Sequence, residues 1–187
     1  MLKKRLPHGL AVLLILAFVL AGCGGGGGYS GGGSDGPGTN ASWQVVGNPG
    51  FSAGQTDSPS IAITETGIPY VIYCDGGNGN KATVMKFDGT AWTVVGTSGI
   101  SAGGALSPSI AIDTSGVPYV AFCDVANGHK VTVVKFNGTN WSVVGAPGFS
   151  AGVVMYTSIA IDGAGVPYVV YQDYANDKKA TVMRYVP

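Results

Sequence analysis

The sequence predicts an all-β fold assembled from three copies of one unit. Three observations predict it. Trp43, Trp92 and Trp141 stand 49 residues apart, twice, and the register around them holds without a gap. The chain has 32 glycines, is 45% hydrophobic and only 11% charged, and is rich in Val, Ile, Thr and Tyr, a composition of strands joined by tight turns. Beyond the N-terminal apolar run, no segment sustains a 3.6-residue apolar period.

The first element is an export signal. Lys3, Lys4 and Arg5 precede an apolar run from Leu10 to Ala21, too short to span a membrane as a helix and suited to the core of a signal peptide. The run ends in Leu20-Ala21-Gly22-Cys23. These four residues resemble the bacterial lipobox. The resemblance implies lipidation of the Cys23 thiol (palmitate or a similar acyl chain), cleavage after Gly22 and acylation of the new N-terminus. Residues 1–22 are therefore expected to be removed and the mature chain to be membrane-anchored, since several acyl chains hold a protein stably in a bilayer. Residue 24 is Gly rather than Asp. In Gram-negative sorting this favours the outer membrane or cell surface and leaves the inner membrane open. Residues 23–42 are almost all Gly, Ser, Asp, Asn, Pro and Thr after the cysteine, too polar to fold and expected to act as a flexible tether. The glycine run is no phosphate loop, because no strand precedes it and no Gly-Lys-Ser/Thr follows.

Residues 43–187 are the expected folded domain, with repeats starting at 43, 92 and 141. Ser52-Ala53-Gly54 returns as Ser101-Ala102-Gly103 and Ser150-Ala151-Gly152, Ser60-Ile61-Ala62-Ile63 as Ser109–Ile112 and Ser158–Ile161, and Pro69-Tyr70-Val71 as Pro118–Val120 and Pro167–Val169. Each repeat reads as four strands. One is Ser60–Ile63; a turn at Thr64–Gly67 leads to Pro69–Cys74, since Thr or Asp first and Gly fourth suits a type I turn. A loop with Asp75 and Asn78 leads to Ala82–Phe87, and Asp88-Gly89 (Asn137-Gly138 in the next copy) reads as a tight hairpin turn. The fourth is Trp43–Val46 and its copies. The first two strands are apolar at nearly every position, as in strands buried on both faces.

Four-stranded units of 40–50 residues with doubly apolar inner strands resemble β-propeller blades, which stack face to face around an axis. The resemblance covers 43–187 and implies architecture, with no catalytic family attached. Three units are few for a closed ring, so a homodimer by strand exchange, an open arc, a fragment of a longer array and a β-trefoil all stay open. Phe87-Asp88-Gly89-Thr90-Ala91-Trp92 partly resembles the sialidase Asp-box, but its spacing is one residue short and the preceding Ser is absent.

Chemistry is sparse. Asp75, Asp124 and Asp173 recur after the second strand, followed by Asn78, Asn127 and Asn176 and by Lys81, Lys130 and Lys179. These are the candidate rim or ligand residues, through oxygen ligands to a polar molecule or Ca²⁺; the competing reading is that Asp and Asn cap the loops. The Trp and Tyr positions serve either as sugar platforms or, more often in repeats, as packing. Cys74 and Cys123 are expected to be free buried thiols. His129 stands alone, without a triad or paired-Cys spacing. No metal site, cofactor or catalytic residue is expected. Without Lys3, Lys4 and Arg5 the chain keeps seven basic and ten acidic residues, 7 − 10 = −3, which argues against nucleic acid. The expected function is a non-catalytic binding or scaffolding module with a glycan or protein ligand; the alternatives are a glycan hydrolase or lyase and an inactive array fragment.

Overall fold

The structure is a computed structural model and describes residues 42–187; the lipobox, the signal and most of the tether lie outside the described residues. Residues Trp43–Pro187 form one compact unit. It contains three antiparallel sheets, each ordered as in sequence. The first holds β1 (Thr56–Ile63), β2 (Pro69–Asp75), β3 (Lys81–Phe87) and β4 (Trp92–Val94). The second holds β5 (Ala105–Ile112), β6 (Pro118–Asp124), β7 (Lys130–Phe136) and β8 (Trp141–Val143). The third holds β9 (Val154–Ile161), β10 (Pro167–Asp173) and β11 (Lys179–Arg184). There is no α-helix among the described residues. The sheets are separate and no closed barrel forms among the described residues, which is not the trefoil arrangement.

Two expectations need correction. Trp43–Val46 is not a strand, and the third sheet has three strands rather than four. A strand exists only against a neighbour's free backbone groups, and among the described residues no strand pairs its backbone with these four. The Asp88-Gly89 turn is wider than a two-residue hairpin. The Asp88 carboxylate accepts the Thr90 and Ala91 N–H groups at 2.9 and 2.8 Å, and the Asp88 N–H reaches the Ala91 carbonyl at 3.0 Å. Asn137 does the same for Thr139 and Asn140. The turn after the first strand follows expectation. Thr64, Asp113 and Asp162 each accept the N–H four residues on through a side-chain oxygen, at 2.9 Å.

The sheets stack because β2, β6 and β10 are apolar on both faces. Ile72, Cys74, Ala82 and Val84 of the first sheet meet Ile110, Val120, Phe122 and Val134 of the second. Ala121, Cys123, Val131 and Val133 on the second sheet's other face meet Val154, Ile159, Val169 and Tyr171 of the third. β6 is buried at all seven positions. Ser60 Oγ accepts the Ile110 N–H and Ser109 Oγ the Ile159 N–H, so β1, β5 and β9 lie side by side. Each of these first strands carries a β-bulge against its partner, with Ser58, Ser107 and Tyr156 at φ 49°, 46° and 53°.

The linkers between sheets are part of the stack. The Val95 and Ile100 N–H groups reach Val84 and Ala82 carbonyls at 2.9 and 2.8 Å, and Val144 and Phe149 repeat this on Val133 and Val131. The recurring Ser-Ala-Gly has a specific task. Ser101 Oγ accepts the Ala82 N–H at 3.0 Å and donates to the Gly103 carbonyl, and Ser150 serves Val131 and Gly152 alike.

Trp92 and Trp141 are packing residues. Trp92 Nε1 donates to the Val46 carbonyl at 3.0 Å, and Trp141 Nε1 to the Val95 carbonyl at 2.9 Å. Each indole covers the glycine that follows. A Cβ on Gly96 would stand 3.0 Å from Phe136 and 3.3 Å from Trp141, and its φ of 73° lies in the left-handed region, so a side chain here would be tightly packed and strained. Phe51 stacks on Trp92 with ring centres 4.4 Å apart. Cys74 and Cys123 are free and buried. Burial pushes each thiol up to about 11, aided by Asp57 and Asp124 respectively.

Candidate functional site: a rim of three loops

All six sequence-predicted rim residues sit in three equivalent loops between the second and third strands of each sheet. The loops contain 3₁₀ turns at Gly76–Asn78, Val125–Asn127 and Tyr174–Asn176. The local sequence dictates this shape. Asp75, Asp124 and Asp173 cap the turns, each accepting the N–H two residues on through Oδ1 at 3.0, 3.1 and 3.0 Å. The turns end on residues in the left-handed region, Gly79, Gly128 and Asp177, and the next residues Asn80, His129 and Lys178 share it.

The second carboxylate oxygen of each Asp turns inward. Asp124 Oδ2 accepts from Asn127 Nδ2 and from Thr132 Oγ1, both at 2.8 Å. Asp173 Oδ2 accepts from Asn176 at 2.8 Å and Thr181 at 2.9 Å. The first loop is looser: Thr83 Oγ1 reaches Asp75 Oδ2 at 3.5 Å. All three carboxylates are buried. The Asn176 amide, then Thr181 and the Ala175 N–H, hold the Asp173 carboxyl below the usual carboxylate range against the opposing effect of burial. The sequence reading missed the threonines. Their signal was a hydroxyl eight residues after each Asp, opposite it across the loop.

The linkers complete the rim. The Gly76 N–H reaches the Gln55 carbonyl, Val125 reaches Gly104 and Tyr174 reaches Val153, at 2.9, 3.1 and 3.1 Å. On this shared frame the exposed tips differ. Positions 76, 125 and 174 are Gly, Val and Tyr, and positions 80, 129 and 178 are Asn, His and Lys. Lys178 Nζ lies 5.1 Å from the centre of the exposed Tyr174 ring. Lys81, Lys130 and Lys179 open the third strands; Lys179 pairs with Asp177 at 3.6 Å across solvent, a contact worth little.

Two clefts open on the surface, one of them walled in part by the first rim loop. One of about 450 Å³ opens on the outer face of the first sheet and includes Phe51, Tyr73, Asp75, Asn78 and Thr83 in its wall. The other, about 210 Å³, lies at the edge of β11 between Val144, Gly145, Val169, Met183 and Tyr185. Among the described residues, no three His, Cys, Asp or Glu side chains are grouped to hold a metal ion.

No protein-family model matches the chain, and no curated protein matches it in sequence. Solved structures resemble it in fold. A polysaccharide lyase of family PL25, an ulvan lyase, is 15% identical over 73% of this chain and 38% of its own, with a TM-score of 0.52. A fucose lectin from Kordia zhangzhouensis is 15% identical over 68% and 91%, with a TM-score of 0.46. An endo-1,4-β-xylanase from Bacteroides thetaiotaomicron is 14% identical over 75% and 57%, with a TM-score of 0.47. This chain thus spans well under two thirds of the lyase and of the xylanase. The likeness is one of all-β architecture.

Proposed function

We propose that this chain is a non-catalytic binding module of a bacterial envelope lipoprotein, a stack of three propeller-like blades held on a tether from lipidated Cys23, with a glycan as its ligand. One observation carries the reading: three loops share one hydrogen-bonded frame and differ at their exposed tips. A rigid frame with variable tips is how binding surfaces are built on a scaffold. Tyr174 offers an exposed ring of the kind that stacks on a sugar face, and His129, Lys178 and Asn80 offer hydrogen bonds beside it. The three Asp carboxylates are engaged in shaping their own loops, which favours binding over acid–base chemistry.

The test is a glycan array probed with the full chain in detergent. A saccharide hit that weakens about tenfold in Tyr174→Ala, with an unchanged thermal transition, supports the reading. A hit that instead disappears with release of new saccharide ends, and whose turnover dies in Asp124→Asn, makes the chain a hydrolase or lyase. Binding to an envelope protein alone makes it a scaffold. The anchor is tested separately: Cys23→Ser should prevent incorporation of labelled palmitate and release the protein from the membrane fraction.

A further inference from the structure

We infer that the cleft at the edge of β11 is the seat of Trp43 from a second copy of this chain. The fold contains this seat three times, twice occupied. Trp92 sits on Val46-Gly47, and Trp141 sits on Val95-Gly96 beside Val84, Ile100, Val120, Val134 and Phe136. Adding 49 to these numbers gives Val144, Gly145, Val133, Phe149, Val169, Met183 and Tyr185, all of them walls of the β11-edge cleft. The cleft, at about 210 Å³, is smaller than the roughly 300–1,000 Å³ of a small-molecule pocket. It suits one aromatic side chain.

The matching plug is on the same chain. Trp43-Gln44-Val45-Val46-Gly47 has the Trp-x-Val-Val-Gly pattern of 92–96 and 141–145, and Trp43 is fully exposed. Register fixes how it enters. Trp92, Thr93 and Val94 face Phe87, Lys86 and Met85. Trp43, Gln44 and Val45 would then face Tyr185, Arg184 and Met183, with Trp43 Nε1 donating to the Val144 carbonyl. The edge is ready for it. The Tyr185 N–H points to Pro167 on β10, so by strand alternation the Arg184 N–H points outward.

The faces behind the seat agree. Ile110 and Ile159 are 5% and 7% exposed, but the same position on the first sheet, Ile61, is 60% exposed. Val84 and Val133 are 0% and 3% exposed, but Val182 on the third sheet is 63% exposed. The outer faces of the first and third sheets are the two halves of a junction that the molecule already makes twice. The large cleft over Tyr73 and Met85 lies on one of these faces; in the second sheet the corresponding Phe122 and Val134 are buried against Ile72 and Val84. The linker bonds repeat too. Thr83 and Thr132 hydroxyls accept the Gly99 and Gly148 N–H groups, and Thr181 would accept Gly50 from the other copy. Three such blades are too few to close on themselves, whereas two chains give six, within the four to eight of known rings. The occupant is therefore another molecule's N-terminal segment, given and received in both directions.

The test uses the full chain in detergent. Differently tagged chains carrying Gln44→Cys or Arg184→Cys are mixed and mildly oxidised, Cys74 and Cys123 being buried. A hydrogen-bonded cross-strand pair stands about 5.5 Å apart, within disulfide reach. The proposal expects an inter-chain disulfide, a dimer by native mass spectrometry, and dimerisation weakened at least about tenfold by Trp43→Ala with the thermal transition of the monomer retained. Val182→Asp, on the opposite side of β11 from the seat, should weaken it independently. A single chain carrying both cysteines that cross-links within itself would overturn the proposal, as would failure to cross-link or a Trp43→Ala chain that dimerises like the parent.

Discussion

The second and third sheets derive from the same repeat, yet they live in different surroundings. β6, Pro-Tyr-Val-Ala-Phe-Cys-Asp, is buried at every position, while β10, Pro-Tyr-Val-Val-Tyr-Gln-Asp, alternates between buried and open. Their sequences do not announce the difference: β10 keeps Val170 on its open side where β6 has Ala121. An apolar residue on an uncovered face gives no stability in the single chain. The repeat therefore specifies a stack, and the position of a sheet within the stack decides what each side chain contributes.

The comparison can be broken most sharply at Val133 and Val182, the same repeat position on the second and third sheets. In a Trp43→Ala background, Val133→Asp should cost about 4 kcal/mol or more by burying an unpaired charge, and Val182→Asp should stay within about 0.5 kcal/mol; chemical denaturation reads both. Equal effects would mean that the third sheet's outer face is covered within one chain.

The loop carboxylates sharpen the contrast at a smaller scale. Asp124→Asn removes the acceptor for two side-chain donors at 2.8 Å and should cost about 2–3 kcal/mol, whereas Asp75→Asn, with its Thr83 contact at 3.5 Å, should cost about 1 kcal/mol. Asp173 adds a pH signature. Its folded carboxyl is more acidic than in the unfolded chain, so its contribution is present above the unfolded value and is lost as pH falls through the folded one. An acid titration of the thermal midpoint should flatten on the acid side in Asp173→Asn.

On the alkaline side the effect is zero at neutral pH. Cys74 and Cys123 ionise near 9.0 when exposed and near 11 when folded. Between these values the unfolded chain has lost protons that the folded chain keeps, so stability falls as pH rises from about 9 to about 11. Tyr73, Tyr119 and Tyr171, also raised from 10.0 chiefly by burial, add to the fall from about pH 10 upward. A Cys74→Ala, Cys123→Ala chain should lose less stability between pH 9 and 11. Maleimide should leave both thiols unlabelled until denaturant is added; labelling of the native chain at the rate of a free peptide would contradict their burial.

The repeat, its 49-residue phase and most strand positions were legible in the sequence because they depend on local pattern: turn residues at fixed offsets and apolar runs between them. Asp75, Asp124 and Asp173 were legible as a recurrent feature, and their loop-capping alternative is what the hydrogen bonds show. Thr83, Thr132 and Thr181 were not found, because on a half-apolar strand a threonine looks like any other β-branched residue until its partner across the loop is known. Trp43–Val46 was read as a strand by analogy with its copies. Its residues are the same kind, but pairing depends on a neighbouring edge, and sequence similarity carries no information about who stands beside whom. The role of the glycines after each Val-Val was hidden for the same reason, since the indole that covers Gly96 comes from Trp141, forty-five positions later.

The bulged first strands have a consequence of their own. Ser58, Ser107 and Tyr156 hold a backbone twist that side chains other than glycine resist, at roughly 1–2 kcal/mol apiece. Because the same distortion recurs in all three sheets, it came with the unit that was multiplied, and each duplication multiplied its penalty. No copy has relieved it by changing to glycine, although the chain uses glycine freely elsewhere. A glycine there would loosen the unfolded chain as well as relax the folded one, so the kink is cheaper to keep than its local geometry suggests, and it gives every sheet the same bend with which to meet the next.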